Sequence, residues 1–236
     1  MILMRMPRGP EPAPATDVVR DDPHTPDPRF AELYAALPEA TDLDPWHEFC
    51  AEAEGPVLYV GIGAGRLALP LLRAGVQLVG VDAHPGMLAV LRERAPELEL
   101  HWATIERLRL GARFSRVIAP SNILCTLARL GGAARQLAPA GELAFELMNP
   151  HWLRGGRHPG VRVRRWKRTT TPEEVELEVD YETGHVQEAV VPLWWPEQIG
   201  EQCDRARLTL QRVAPTDGRE PIEEAPTYYT VARRSG

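Results

Sequence analysis

Three glycines within five residues, Gly61-Ile62-Gly63-Ala64-Gly65, follow the apolar run Val57-Leu58-Tyr59-Val60 and precede a helical pattern. Glycine at such a junction lets the chain turn tightly and lets a ligand reach the backbone with no Cβ in the way. Asp82 stands twenty-one residues beyond Gly61, at the end of the next apolar run, Gln77-Leu78-Val79-Gly80-Val81. A carboxylate there can accept hydrogen bonds from ribose hydroxyls. The pair predicts a nucleoside-bearing cofactor lying across the first two strands. Two diphosphate ligands fit poorly. A dinucleotide loop takes a small residue at its sixth position, where Arg66 stands, and a phosphate loop ends in Gly-Lys-Ser/Thr, whereas the sole lysine, Lys167, is followed by Arg168. Arg66 is tolerable where an amino-acid moiety, rather than a pyrophosphate, lies near the turn.

The elements that must position these residues alternate between strand and helix. Strand patterns at 57–60, 77–82, 98–102, 116–119 and 142–147 are separated by helical candidates at 66–74, 85–94 and 122–138, the last expected to break at Gly131-Gly132. This order predicts an α/β fold with a mostly parallel sheet and ligands at the carboxyl ends of its strands. Beyond residue 152 the period becomes two. Val175, Leu177, Val179 and Tyr181 alternate with acidic residues, which predicts an antiparallel insertion over residues 153–193. A helix starting at Trp195-Pro196-Glu197 and strands at 207–213 and 228–233 close the chain. At the other end, seven prolines within residues 7–28 and little large apolar content predict a mobile tail over residues 1–26. Order is expected from Asp27-Pro28, an N-cap and first-turn proline, with Phe30, Leu33, Tyr34 and Leu37 at helical spacing.

The segment Gly55-Pro56-Val57-Leu58-Tyr59-Val60-Gly61-Ile62-Gly63-Ala64-Gly65-Arg66 resembles the first motif of the class I S-adenosylmethionine-dependent methyltransferases. Val79 to Leu88 resembles their second strand, ribose-binding acid and following helix. Phe114 to Asn122 resembles the fourth strand and its exit, and Leu137 to Leu143 the turn into the fifth. The late sheet and the Trp195-Pro196-Glu197-Gln198-Ile199 helix are similar to small-molecule N-methyltransferases. The resemblance implies a Rossmann-like methyltransferase domain over residues 27–236, with an antiparallel last strand and residues 153–193 as a cap over the acceptor. It implies S-adenosyl-L-methionine as cofactor. Gly61, Gly63 and Gly65 would shape the methionine pocket, Asp82 with Ala83 the ribose side, and Met87 with Ile105 the adenine. Ala119 and Ser121 would face the donor methionine. Tyr59 replaces an acid that the family places near the methionine amino group, and Thr104 and Ser115 replace two more; Thr104 can still offer a hydroxyl to the adenine amine.

Methyl transfer from a sulfonium is an in-line displacement that needs orientation, desolvation and, for hydroxyl acceptors, a general base. His151, Asn122 and Tyr34 are the candidates, the first two at strand exits and Tyr34 on a helix that would cover the cofactor. Asn149-Pro150-His151-Trp152 resembles the adenine-methyltransferase tetrapeptide, but it follows the fifth strand; the fourth ends in Ala119-Pro120-Ser121-Asn122. The net charge of −6 also weighs against a nucleic-acid partner. Ser115, Ser121 and Ser235 lie in no G-x-S-x-G elbow, and His47-Glu48 lacks a second histidine, so hydrolase and zincin chemistry are unsupported. Arg162–Arg168 is expected to pair with the glutamate-rich run across a hairpin. Cys50, Cys125 and Cys203 form no C-x-x-C pair and suit a reducing cytoplasm. No stretch reaches the length of a membrane span. The expected function is methyl transfer to a small-molecule acceptor, an amine in preference, with no nucleic-acid or membrane partner, no metal, and a homodimer left open. The alternatives are a non-catalytic S-adenosylmethionine-binding protein and an NAD(P)-dependent oxidoreductase.

Overall fold

The computed structural model describes residues 17–20, 27–156, 158–168 and 172–235. In chain order these form β1 (Asp17–Arg20), α1 (Pro28–Ala36), α2 (Trp46–Ala51), β2 (Val57–Val60), α3 (Ala68–Arg73), β3 (Leu78–Asp82), α4 (Pro85–Arg94), β4 (Glu99–Trp102), β5 (Phe114–Ala119) and α5 (Leu127–Ala134). Then come β6 (Leu137–Met148), α6 (Pro150–Arg154), β7 (Val161–Lys167), β8 (Glu173–Asp180), β9 (His185–Leu193), a 3-10 turn at Pro196–Gln198, α7 (Ile199–Arg205), β10 (Leu208–Pro215) and β11 (Thr227–Arg234). The main sheet has the order β10-β11-β6-β5-β2-β3-β4, with β2 to β6 parallel and β11 antiparallel to both neighbours.

All four residues of β2 are buried, as a strand covered on both faces requires. Leu58, Val60, Val117, Leu143 and Phe145 belong to the core on one face, with α5 and α7. Tyr59, Ile118 and Ala144 belong to the other, with α2 and α3. Glu142 joins three parts of the chain: its carboxylate accepts from Arg116 at 2.5 Å and from Arg233 at 2.6 Å, and Arg116 also pairs with Glu52 at 2.8 Å.

β7, β8 and β9 form the expected antiparallel hairpins, and Arg162, Arg164 and Lys167 of the basic strip pair with acids of β8. Arg162, Arg165 and Lys167 stand opposite Glu178, Glu176 and Glu174, with Arg162 3.0 Å from Asp180 and Lys167 2.9 Å from Glu176. This small sheet packs through Val175, Leu177 and Leu193 on Met148 and Leu153, at the exit of β6.

Two expectations need correction. Residues 17–20, within the expected tail, pair in parallel with β9, and Val19 is fully buried. An edge offers backbone donors and acceptors to any extended segment, so pairing there needs little apolar content. The remainder of that tail lies outside the described residues. The helix after β5 does not break at Gly131-Gly132. It begins only at Leu127, capped by Thr126, and runs through both glycines. Gly132 is there for closeness: a Cβ on it would lie 2.6 Å from the Ile105 carbonyl oxygen and 2.9 Å from its carbon. A Cβ on Gly131 would meet only the Arg135 guanidinium, at 3.8 Å.

Neighbouring glycines therefore predict opposite outcomes. Gly132→Ala should lower stability by about 1–3 kcal/mol, because backbone must move. Gly131→Ala should leave stability unchanged or raise it by up to about 1 kcal/mol through helix propensity. Urea unfolding of both variants checks the pair; equal effects would refute the close approach.

Candidate functional site

The glycine loop and Asp82 are physically joined. Oδ2 of Asp82 accepts from the Gly63 N–H at 2.8 Å and Oδ1 from the His84 N–H at 2.8 Å. Each oxygen keeps capacity for a further donor. Burial pushes the Asp82 carboxyl above the usual carboxylate range, against the pull of the two backbone N–H groups. His84 continues the connection: its Nδ1 caps α4 by accepting from Met87 N at 3.3 Å, and Nε2 lies 3.1 Å from the Asp27 carbonyl oxygen at the start of α1.

The three glycines, all at positive φ, do different work. A Cβ on Gly65 would strike Leu91 at 2.6 Å, and one on Gly61 would strike Ile123 at 2.6 Å. Those two allow the loop to pack against α4 and against the segment after β5. A Cβ on Gly63 would meet nothing within 4 Å, so this residue turns an open backbone face outward beside Asp82. An open loop beside a half-buried carboxylate with acceptor capacity to spare, at the carboxyl ends of β2 and β3, suits the hydroxyl-bearing part of a nucleoside. The clefts lined by Pro56, Val79 and Glu99 lie at the opposite, amino ends of these strands.

The remaining binding candidates spread around this edge. Met87 is buried with Ala31 and Ala64 in a cluster that Phe30 and Tyr34 cover, whereas Ile105 and Ala119 lie in the core on the other side of the sheet. Thr104 begins the turn after β4, its carbonyl accepting from Arg107 and Leu108. Ala83 accepts at its carbonyl from the Trp102 indole, 3.0 Å away. Ser121 and Asn122 hold left-handed φ of 68° and 60°, an unusual pair of non-glycine residues. Ser121 N donates to Glu146 Oε2 at 2.9 Å, and Asn122 Oδ1 accepts from Met148 N at 2.9 Å, so this bend is tied to the end of β6.

Of the catalytic candidates, Asn122 and His151 stand at the adjoining exits of β5 and β6. Tyr34 lies on α1 beside the glycine loop, its ring 6.3 Å from that of Tyr181, in the turn between β8 and β9. His151 Nε2 is 2.6 Å from Glu197 Oε1, and its ring meets Trp195 edge-on at 4.8 Å. With Nε2–H donated to Glu197, Nδ1 is the nitrogen that retains a lone pair. The bond to His151 helps hold the Glu197 carboxyl below its ordinary range, although burial works against it. Arg154 lies over the Trp195 ring at 4.2 Å and the Trp166 ring at 5.0 Å, joining α6 to the small sheet.

Sequence reasoning missed three residues here: Glu197, Glu146 and Trp102. Glu197 reads in sequence as an ordinary first-turn acid. Glu146 was absorbed in an apolar run, where an acid between Phe145 and Leu147 was itself a signal. Trp102, 71% exposed and opposite Asp82 in the sheet register, ends a strand in which large apolar residues were expected to be covered. Among the described residues, no group of three or more His, Cys, Asp or Glu could hold a metal ion, and no helix is long and apolar enough to cross a membrane. Burial pushes the Cys50 and Cys203 thiols up to about 12, leaving them inert.

Residues 57–141 match a family described as a methyltransferase domain. The chain is similar to a ubiquinone biosynthesis O-methyltransferase of Azorhizobium caulinodans, 29% identical over 148 residues, covering 52% of this chain and 56% of that protein. The chain thus spans about half the length of the curated relatives it matches. Its fold is similar to that of the CcbJ methyltransferase from Streptomyces caelestis, with TM-score 0.65, 22% identity, and coverage of 88% of this chain and 96% of the other. It is also similar to the S-adenosylmethionine-bound amino pentose methyltransferase CalS10 from Micromonospora echinaspora, with TM-score 0.58, 20% identity, and coverage of 88% and 91%. The matched domain contains the glycine loop, Asp82 and the strands that carry them, and the sheet around it has the strand order expected of such a domain. On these grounds residues 57–141 carry a methyltransferase domain, and the fold around it is that of these S-adenosylmethionine-dependent methyltransferases.

Proposed function

We propose that this protein transfers a methyl group from S-adenosylmethionine to a small-molecule acceptor, an amine in preference to a hydroxyl. The observation that carries the reading is the Asp82–Gly63 bond at 2.8 Å, which presents a ribose-binding carboxylate and an open backbone loop together. Bound there, the cofactor supplies an electrophilic methyl group on a sulfonium. Asp82 and the N–H groups of the loop orient its nucleoside end, and α1 with Tyr34 lies over the loop and excludes water. Trp166, Trp195 and Arg154 are the proposed wall for the acceptor, under the cap formed by residues 153–193. An amine attacks through its own lone pair once neutral, so the protein needs only to align it. The hypothesis includes a cytoplasmic location, supported by three buried cysteine thiols, and a homodimer as an open assembly.

A second reading, an O-methyltransferase, is favoured by a specific observation. His151 is held by Glu197 in the tautomer that leaves Nδ1 as a base, the one group that a hydroxyl acceptor requires. The similarity to an O-methyltransferase supports the same alternative.

Calorimetry with S-adenosylhomocysteine tests the cofactor site. Asp82→Ala should weaken binding at least about 10-fold, since a charge-assisted acceptor is lost. The ionised carboxylate is the acceptor. As pH falls through its raised pKa, wild-type affinity should therefore decline, starting above the ordinary aspartate value of about 4. Asp82→Asn should flatten that profile. A wild-type affinity that does not change between pH 8 and 5, with Asp82→Ala binding normally, would remove Asp82 from the site.

Methyl transfer to a panel of small amines and phenols separates the two acceptor readings. His151→Ala should reduce kcat for a phenol by about 10²- to 10⁴-fold, while amine turnover stays within about 10-fold. Equal loss for both classes would assign His151 to acceptor positioning. Tight binding of S-adenosylhomocysteine with no turnover of either class would identify a non-catalytic binding protein.

A further inference from the structure

Charge is unevenly spread over this chain. The net charge is −6, yet the turn from Glu106 to Arg113 and α5 with its C-cap hold Arg107, Arg109, Arg113, Arg129 and Arg135 against one acid, Glu106. Elsewhere guanidinium groups meet carboxylates: Arg29 lies 2.6 Å from Asp27, Arg116 2.8 Å from Glu52 and Arg162 3.0 Å from Asp180. In this patch Arg129 alone does so, 3.3 Å from Glu106 Oε1. Among the described residues, no carboxylate lies within ion-pair distance of Arg107, Arg109, Arg113 or Arg135, all four of which are exposed.

Two of these side chains converge. The Glu106 carbonyl oxygen accepts from Arg135 Nη2 at 2.9 Å and from Arg109 Nη1 at 3.3 Å, and Arg109 Nη1 also donates to the Leu108 carbonyl at 2.7 Å. One backbone oxygen thus holds two like charges side by side. Burial first, and then the charge of Arg109, hold the Arg135 guanidinium below its ordinary range, against the pull of Glu106. The turn that carries them is firmly seated on α5. Gln136, 1% exposed, donates through Nε2 to the Leu108 carbonyl at 3.1 Å, and the Ile105 carbonyl oxygen lies 2.6 Å from where a Cβ on Gly132 would stand. A helix C-terminus favours one cation, which accounts for Arg135. It does not account for a second guanidinium on the same oxygen, where like charges repel. Each guanidinium has five N–H donors and commits one nitrogen to the backbone, so each keeps donors for a ligand.

We propose that Arg109 and Arg135 form a binding site for a phosphate group, either inorganic phosphate or the phosphoryl group of a small monoester. Two cations match a group that carries a charge of about −1.5 to −2, and planar guanidinium forks pair with its oxygens in a bidentate manner. A single carboxylate would neutralise only one of them. Arg107 and Arg113 strengthen the field around the site without sharing the Glu106 carbonyl. The site has no residue in common with the Asp82 edge, so its occupancy does not rest on the cofactor reading.

Calorimetry titrates the full chain with inorganic phosphate and with glycerol phosphate, each against sodium chloride at equal ionic strength, because salt screens exposed charges. Phosphate should bind saturably at one site, and chloride should not. Arg109→Gln and Arg135→Gln should each weaken phosphate binding at least about 10-fold, since a charge-assisted pair is lost. Arg107→Gln removes an equal charge from the same patch and should weaken binding by less than about 3-fold. Tighter binding of glycerol phosphate than of inorganic phosphate identifies a monoester as the ligand; equal or weaker binding identifies the free ion. Thermal melts report whether each variant is folded. Should Arg135→Gln not fold, Arg135→Lys keeps the charge without the fork and should weaken binding about 3- to 10-fold. Absence of saturable phosphate binding by the wild type overturns the proposal. An equal loss in all three glutamine variants overturns it as well, and assigns the arginines to diffuse attraction of a polyanion such as a nucleic acid.

Discussion

The Asp82 carboxylate organises this protein. Two backbone N–H groups converge on it, one from the glycine loop and one from the turn into α4. A half-buried carboxylate against an apolar strand is costly unless such donors meet it. The constraint spreads from there. Gly63 must adopt a positive φ to aim its N–H at β3, and Gly65 must lack a Cβ so that the loop can descend onto Leu69 and Leu91. His84 then joins the same turn to α1 through Asp27. The glycine loop, Asp82 and α1 thus form one connected unit.

The second organising feature lies at the same carboxyl end of the sheet, two strands away on β5. Ser121 and Asn122 bend in the left-handed region and are held there by hydrogen bonds to β6. Left-handed backbone at non-glycine residues is strained and persists where its surroundings over-determine it. Here the strain places the bend beside both Gly61 and Glu146. The small sheet is anchored differently, through an apolar patch on Met148 and Leu153 and through Arg154 between two indoles. The small sheet and the Asp82 edge are therefore supported by different sets of interactions.

Much of this was legible from residue pattern. Period-two and continuous apolar runs mark strands because side-chain direction alternates along an extended chain. That rule placed β2, β3, β5 and both hairpins of the small sheet within a few residues. The glutamate and arginine runs paired as opposite charges across a hairpin do. Where pattern failed, the cause was a contact distant in sequence. Gly131-Gly132 reads as a helix break on propensity alone, yet Gly132 is demanded by the Ile105 carbonyl twenty-seven residues earlier. Residues 17–20 have too little apolar content to order themselves, but the free edge of β9 supplies the pairing.

The sequence by itself determined the local chemistry: a glycine loop between strand and helix, an acid at the end of the next strand, and the alternation that makes a parallel sheet. These depend on neighbours within a few residues or on a fixed spacing, so they survive without coordinates. Only the tertiary structure decided which side chains from separate strands share a face and a level. It brought Glu197 to His151 across forty-six residues, and it set the Ser121 N–H on the Glu146 carboxylate across twenty-five. The physical reason is that strand order and register are settled by packing across the sheet, and no local pattern encodes which strands become neighbours.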